Sequence, residues 1–232
     1  MTFTKSVALL FIAFLILTGC KRSEPTGAKP QTVNKEQTVQ TPVQTKKSIL
    51  FFGNSLTAGY GVEPEQAFPS LIQEKLDSLG LPYKVINAGL SGETSASGVN
   101  RIEWVLREPI EVMILELGGN DGLRGVDPNE TKSNLQKIVD LAQKKYPDIQ
   151  IIIAGMEAPP NMGSKYITAF RSVFKELAEN NNLLLVPFLL EGVGGEPELN
   201  LPDGIHPNPE GHMIVAANVW EVLSETLAAT AP

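Results

Sequence analysis

Short apolar runs, separated by longer mixed stretches, give the chain a regular pattern between residues 49 and 186. Most of these runs are continuous rather than alternating, which is typical of parallel strands that are covered on both faces. The predicted strands are Ile49–Phe52, Lys84–Asn87, Val112–Leu117, Ile149–Ala154 and Leu183–Val186. The pattern therefore predicts one buried parallel sheet.

The stretches between the runs carry apolar residues at helical spacing. Pro64 is expected to open a helix that ends at Gly80, and residues 127–130 (Asp-Pro-Asn-Glu) have the N-cap, proline and acid typical of a helix start. Two more helices are predicted over Tyr166–Glu179 and from about residue 209 to residue 227. Because strands and helices alternate and no repeat is visible, the prediction is one doubly wound α/β domain.

The N-terminal segment is predicted to be a secretory signal. Lys5 precedes an apolar run at residues 7–17, which is short for a membrane span. Residues 17–20, Leu-Thr-Gly-Cys, resemble the bacterial lipobox, in which the cysteine is acylated and becomes the mature N-terminus. We therefore expect a signal peptide at residues 1–19 and a lipidated Cys20. The alternative is a plain signal peptide in which the sole cysteine of the chain is incidental.

Residues 20–47 are rich in Gln, Thr, Lys and Pro, and are predicted to form a disordered tether to a domain at residues 48–232. Residues 21–47 hold six Lys and Arg against two Glu, whereas the domain holds 12 Lys and Arg against 24 Asp and Glu. A basic tether suits an anionic membrane, and the acidic domain argues against nucleic acid as a partner. We expect a lipid-anchored protein of the bacterial cell envelope, although the charge of the domain can equally serve solubility alone.

Polar residues suited to catalysis follow four of the predicted strands. Ser55 follows the first strand, Gly92 the second and Asn120 the third, while His206 lies in the long loop after the fifth. Ligands bind beyond the carboxyl ends of the strands in sheets of this kind. The four residues are therefore predicted to meet at one edge of the sheet.

Ser55 and His206 are the predicted nucleophile and general base. Asp203 precedes His206 by three residues, so that it can orient the imidazole ring and stabilise the imidazolium. The alternative is that the segment from Asp203 to His206 is only a surface turn. His212 has no acid three residues before it and is interpreted as structural, as is Asp121.

Attack on a carbonyl creates an oxyanion that needs hydrogen-bond donors. The candidates are the backbone N–H groups of Ser55 and Gly92 and the side-chain amide of Asn120. Gly92 has no side chain that would keep its N–H away from the oxyanion. Alternatively, Gly92 is only a turn glycine, and Asn120 is a buried residue that caps its loop. One cysteine and two histidines give few ways to build a zinc site, so no metal or organic cofactor is expected.

Together, these blocks resemble the SGNH hydrolases of the GDSL type, close to bacterial thioesterase, lysophospholipase and arylesterase members. The resemblance covers about residues 48–227 and rests on Gly53-Asn54-Ser55-Leu56 and on the segments around Gly92, Asn120 and His206. It implies a flavodoxin-like, three-layer α/β/α fold with five parallel strands. It also implies Ser55 as nucleophile, Gly92 and Asn120 as oxyanion-hole partners, and the Asp203–His206 pair.

One residue departs from the family pattern. The family has Gly-Asp-Ser-Leu where this chain has Asn54 before the serine. Asparagine keeps the hydrogen-bonding shape but removes a negative charge, so we expect it to tune activity without abolishing it. The motif Gly-x-Ser-x-Gly is absent at Ser55, which argues against the α/β-hydrolase fold.

The expected function is hydrolysis of carboxylic esters of small acyl or lipid substrates, with thioesters and lysophospholipids among the candidates. Residues 116–125 resemble the thioesterase-like branch, and Leu123 is placed beside the acyl cleft, so aryl and medium-chain esters are expected to outpace acetylated sugars. Two alternatives are a carbohydrate or peptidoglycan O-acetyl esterase and a lipid-anchored binding module. The second alternative requires a broken triad.

Overall fold

A five-stranded parallel sheet is the centre of the computed structural model, which describes residues 46–229. The strands are β1 (Lys47–Gly53), β2 (Tyr83–Gly89), β3 (Val112–Glu116), β4 (Gln150–Ala154) and β5 (Leu184–Val186). Their order is β2-β1-β3-β4-β5, and each neighbouring pair is parallel. Each predicted strand is confirmed, with no end shifted by more than two residues.

Helices cover both faces of this sheet. They are α1 (Ser55–Ala58), α2 (Phe68–Ser78), α3 (Ser95–Val105), α4 (Gly119–Arg124), α5 (Pro128–Lys145), α6 (Ser164–Asn181) and α7 (Pro209–Ala229). Helix α2 packs on α7, and α5 packs on both α3 and α6. The chain steps from β1 to β2 in one direction and from β2 to β5 in the other. Right-handed crossovers therefore place α2, between β1 and β2, on one face of the sheet and the helices of the connections from β2 to β5 on the other. This arrangement gives the predicted α/β/α layers.

The core lies on the three central strands. All five residues of β3 are buried, as are Ile49–Phe52 of β1 and residues 151–154 of β4. Burial on both faces explains why these strands are continuously apolar in the sequence. The central strands therefore give the residues at their carboxyl ends a rigid base.

The helices differ from the sequence prediction at the start of α2 and in α1, α3 and α4, which were not predicted. The segment from Pro64 forms a 3-10 turn over Pro64–Gln66, and extended Ala67 separates it from α2. Pro69 lies in the first turn of α2, where its missing N–H has no intrahelical partner to lose. Helix α3 was not predicted because Ser, Asn and Gly weaken its helical pattern, but Thr94 caps it by accepting the N–H of Ser97.

The predicted signal peptide at residues 1–19, Cys20 and most of the predicted tether lie outside the described residues. Strand β1 begins at Lys47, one residue before the predicted start of the domain. The backbone N–H of Lys47 donates to Pro82 O at 2.9 Å, and its ammonium pairs with Glu111. Among residues 46–229, no helix combines the length and the low polarity that crossing a bilayer requires.

Candidate active site

Ser55 is the first residue of α1 and lies directly beyond the end of β1. Its neighbour Asn54 caps the helix, because the Asn54 side-chain oxygen accepts the N–H of Leu56 at 3.0 Å. The turn is buried, and Ser55 is 8% exposed. Strand β1 and this cap thus fix the position from which the serine hydroxyl faces the site.

His206 links Ser55 to Asp203. Its Nε2 lies 2.9 Å from Ser55 Oγ, and its Nδ1 lies 2.8 Å from Asp203 Oδ2. The other carboxylate oxygen of Asp203 accepts the backbone N–H groups of Ile205 and His206 at 3.0 and 3.1 Å. Partial burial acts to raise the pKa of Asp203, but the hydrogen bonds from Ile205 and His206 outweigh it and lower the pKa. The carboxylate is therefore ionised beside the ring.

The segment that carries Asp203 and His206 is a turn with a defined base. An antiparallel bridge joins Asn200 to Pro207, and Leu201 N–H donates to His206 O at 2.7 Å. Gly204 has a φ of +75°, a conformation that favours glycine in the middle of the turn. The surface-turn alternative is thus correct about the backbone, and this same turn presents the imidazole to Ser55.

Gly92 lies on the loop after β2 and Asn120 lies in the first turn of α4, both at the same edge of the sheet as Ser55. Leu90 N–H donates to Gly53 O at 2.9 Å, which ties the loop after β2 to the end of β1. Asn120 donates from Nδ2 to Glu93 O at 3.0 Å, which ties α4 to the same loop. Both predicted oxyanion donors therefore belong to one hydrogen-bonded unit.

The backbone conformation at position 92 favours glycine, as the turn-glycine alternative requires. A Cβ on Gly92 would meet no atom within 4 Å, so space does not require glycine there. Its φ of +81° does, because L side chains rarely adopt that conformation.

The two polar residues interpreted as structural have structural partners. The buried Asp121 carboxylate accepts the N–H and the hydroxyl of Ser95 at the start of α3. His212 is 1% exposed, and its Nδ1 accepts the N–H of Phe68 at 3.2 Å. Burial, with a smaller contribution from the charge of His206, lowers the pKa of His212 to about 4.

Glu116 is a site residue that the sequence analysis missed. It ends β3 and is fully buried, and its carboxylate accepts hydrogen bonds from Asn54 and Thr57 on either side of Ser55. Burial raises the pKa of Glu116 to about 7, although the hydrogen bonds from Thr57 and Asn54 oppose the shift. An acid that ends an otherwise apolar central strand was the available signal.

Large apolar side chains are exposed around the turn, the loops and the short helices that carry the site. They are Tyr60, Leu90, Leu123 and Ile205. The Tyr60 ring lies 4.6 Å from the His206 ring, measured between centroids. Within residues 46–229, no group of three or more His, Cys, Asp or Glu side chains is arranged to hold a metal ion.

Comparison with known proteins identifies the family. Residues 51–214 match the GDSL-like Lipase/Acylhydrolase family. The chain belongs to this family. Two similar proteins of the family type are Esterase TesA of Pseudomonas aeruginosa, 38% identical over 82% of this chain and 92% of its own length, and Thioesterase 1/protease 1/lysophospholipase L1 of Escherichia coli K12, 36% identical over 73% and 79%.

Two solved structures agree with the fold. The crystal structure of TesA has a TM-score of 0.74 and 37% identity, and covers 77% of this chain and 99% of its own. The psychrotrophic esterase EstA of Pseudoalteromonas sp. has a TM-score of 0.74 and 30% identity, and covers 79% and 100%. The predicted SGNH hydrolase fold is confirmed, and the protein is a carboxylic ester hydrolase.

Proposed function

We propose that this GDSL-type hydrolase cleaves esters through a triad of Ser55, His206 and Asp203. One observation carries the proposal. His206 Nε2 is 2.9 Å from Ser55 Oγ while Nδ1 is 2.8 Å from Asp203 Oδ2, so that one ring joins the hydroxyl to the carboxylate. This arrangement activates a serine that is otherwise a weak nucleophile near neutral pH.

In the first step, Ser55 Oγ attacks the ester carbonyl carbon while His206 Nε2 accepts the hydroxyl proton. Asp203 stabilises the imidazolium that forms. The tetrahedral intermediate then collapses to an acyl-Ser55 ester, and His206 returns the proton to the departing alcohol or thiol. Water attacks the acyl-enzyme with His206 again as base, which releases the acid and restores the Ser55 hydroxyl.

The oxyanion of both tetrahedral intermediates needs donors that are already in place. We assign this role to the N–H groups of Ser55 and Gly92 and to the Asn120 amide. The bond from Asn120 Nδ2 to Glu93 O uses one amide hydrogen and leaves the second for the oxyanion. This hydrogen bond holds the Asn120 amide in place before a substrate binds, which supports its assignment as an oxyanion donor.

For the substrate, we propose aryl and medium-chain acyl esters, with thioesters and lysophospholipids as further candidates. The exposed apolar side chains Tyr60, Leu90, Leu123 and Ile205 around the site favour an acyl chain over a sugar. Relatives bear the names Arylesterase, in Vibrio mimicus, and Thioesterase 1/protease 1/lysophospholipase L1. A panel in which acetylated xylan or peptidoglycan outpaces every acyl ester would favour an O-acetyl esterase instead.

The triad is tested by kinetics on p-nitrophenyl esters. We expect Ser55→Ala and His206→Ala each to nearly abolish turnover, and the double variant to be little worse because the two act as a unit. His212→Asn, which keeps an acceptor for Phe68 N–H, is the matched control and should retain most activity. Ser55→Ala with more than about a tenth of wild-type turnover would contradict the triad, since loss of a nucleophile costs several orders of magnitude.

We also propose that Cys20 anchors the enzyme to a membrane of the bacterial envelope. The support is the sequence Leu-Thr-Gly-Cys at residues 17–20 after an apolar run. Cys20→Ser should release the protein from membranes or leave an uncleaved precursor, as seen by fractionation and intact mass. An unmodified Cys20 in the mature wild-type protein would contradict the anchor.

A further inference from the structure

The carboxylate of Glu116 accepts hydrogen bonds from the turn that carries Ser55. Its Oε1 accepts from Asn54 Nδ2 at 2.6 Å. Its Oε2 accepts from Asn54 N at 3.0 Å, from Thr57 Oγ1 at 2.8 Å and from Thr57 N at 3.3 Å. Four donors, two on each side of Ser55 in sequence, thus converge on one buried side chain.

The close approach of this carboxylate depends on Gly53. Gly53 pairs with Glu116 across β1 and β3. A Cβ at Gly53 would lie 2.5 Å from Glu116 Oε2 and 2.1 Å from Thr57 Oγ1, which is too close for either contact to survive. The turn and the end of β3 are therefore built around the carboxylate.

The four hydrogen bonds suit the ionised form of Glu116. An ionised carboxylate is an acceptor only and has about four lone-pair sites, whereas a protonated one carries an O–H that needs an acceptor. Among the described residues, no charged side chain contributes to the raised pKa of Glu116, which comes from burial. On neighbouring α4, Asp121 bonds to Ser95 and Arg124 to Gly92 O.

Asn54 has only one orientation that serves this arrangement. Its Oδ1 accepts the N–H of Leu56, so its Nδ2 is left to donate to Glu116. Aspartate at this position, as in the family's Gly-Asp-Ser-Leu, would keep the cap but place a second carboxylate oxygen against Glu116. Two carboxylates at that distance share a single proton. Asparagine supplies the hydrogen without a titratable group.

We propose that Glu116 is a positioning residue that holds Ser55 in line with His206, and that Asn54 lets it do so as a carboxylate without a shared proton. The role rests on the proposed function of Ser55. The Ser55 hydroxyl has two acceptors within reach, His206 Nε2 at 2.9 Å and Asn54 Oδ1 at 3.3 Å. Glu116 holds the Asn54 side chain in place, so that Asn54 Oδ1 remains the more distant of the two acceptors. The Ser55 hydroxyl then donates to His206 Nε2.

An exchange of amide and carboxylate tests the pair. Glu116→Gln replaces one carboxylate oxygen by an NH2 group, so the donors that faced that oxygen lose their acceptor. We expect kcat to fall about 10- to 100-fold with KM within about threefold, as for a misplaced reacting group. In Asn54→Asp with Glu116→Gln, the new amide can donate to the new carboxylate. The double variant should therefore recover to within about fivefold of wild-type kcat. Glu111→Gln, in the residue directly before β3, is the matched control.

The pH profile of Asn54→Asp gives a second readout. At low pH the two acids share a proton and imitate the native pair, whereas at high pH both ionise and repel each other. We expect kcat of Asn54→Asp, relative to wild type, to decline as pH rises from 6 to 9. The ratio to wild type removes the pH effects that the two proteins share. The double variant should lack this decline.

Three results would overturn the positioning role. They are a kcat of folded Glu116→Gln within twofold of wild type, a double variant no better than the worse single variant, and an Asn54→Asp profile parallel to that of wild type. If Glu116→Gln does not fold, the Asn54→Asp profile decides. A phosphonate that fails to label Ser55 in wild type would count against the proposed function instead, whereas labelled Ser55 with unchanged kcat in Glu116→Gln would count against the positioning role alone.

Discussion

Burial and partners give the two histidines of this protein different roles. His206 has Asp203 on one ring nitrogen and Ser55 on the other, so its positive charge is stabilised when it forms. His212 is enclosed and accepts one backbone hydrogen bond from Phe68. Its pKa is lowered to about 4, so it remains neutral through the pH range in which a general base works.

The lowered pKa of His212 predicts acid sensitivity. Its folded pKa lies below the unfolded value of 6.5, so neutral His212 stabilises the fold above pH 6.5, and this stability is lost as pH falls through about 4. His212→Asn should therefore lose less unfolding free energy than wild type between pH 7 and pH 4. Urea unfolding at several pH values measures this difference. Parallel pH dependences in the two proteins would contradict it.

The Asn120 amide is predicted to act in the transition state. Asn120→Ala should lower kcat by about 10²- to 10³-fold, as expected for loss of one oxyanion donor. This change corresponds to an increase of roughly 3 kcal/mol in the activation free energy. The measurement is kcat at saturating p-nitrophenyl ester. A change in KM alone would show that Asn120 binds substrate and does not stabilise the transition state.

Among the elements, α3 contributes one side chain, Arg101, that binds both the end of β2 and the loop after it. Arg101 donates from Nη2 to Ala88 O at 2.8 Å and from Nε to the Glu93 carboxylate at 2.7 Å, and its guanidinium lies 4.4 Å from the centre of the Phe52 ring. The backbone carbonyl of Glu93 in turn accepts a hydrogen bond from the Asn120 side chain. Helix α3 therefore fixes the loop that carries Gly92.

Arg101→Lys tests this link between α3 and the loop. Lysine keeps the positive charge for buried Glu93 but cannot reproduce the forked contacts of a guanidinium. We expect kcat to fall about tenfold, as for a small misplacement of catalytic donors, with a smaller change in KM. Arg107→Lys, where the arginine lies over Trp104, is the control and should resemble wild type. Equal kinetics in both variants would contradict the link.

An element can be predicted from the sequence when the residues that determine it lie close together in the chain. The strands were predicted because burial on both faces leaves continuous apolar runs, as in β3. Helix α3 was missed because a Thr94 cap and tertiary packing outweigh its weak propensity. The candidates Ser55, Asp203 and His206 follow from short motifs. Glu116 opens the segment that resembles the thioesterase-like branch, but only three-dimensional packing shows that its four hydrogen-bond donors belong to the Ser55 turn.

At the scale of the whole molecule, the sheet brings distant segments of the chain together. Ser55 and His206 are 151 residues apart in sequence, yet their side chains are in hydrogen-bond contact. The strand order β2-β1-β3-β4-β5 places β1 and β3 side by side at the centre, so their carboxyl ends form the base of the site. The last loop then brings Asp203 and His206 over that base. The site is therefore a property of the complete fold.

The most direct measurement is covalent labelling with a p-nitrophenyl phosphonate, followed by intact mass and peptide mapping. A serine activated by His206 should be modified once per chain, on Ser55, in step with loss of esterase activity. We predict stoichiometric modification of Ser55 in wild type and none in Ser55→Ala or His206→Ala. Inactivation without modification of Ser55, or equal modification of Ser55 in His206→Ala, would contradict the triad.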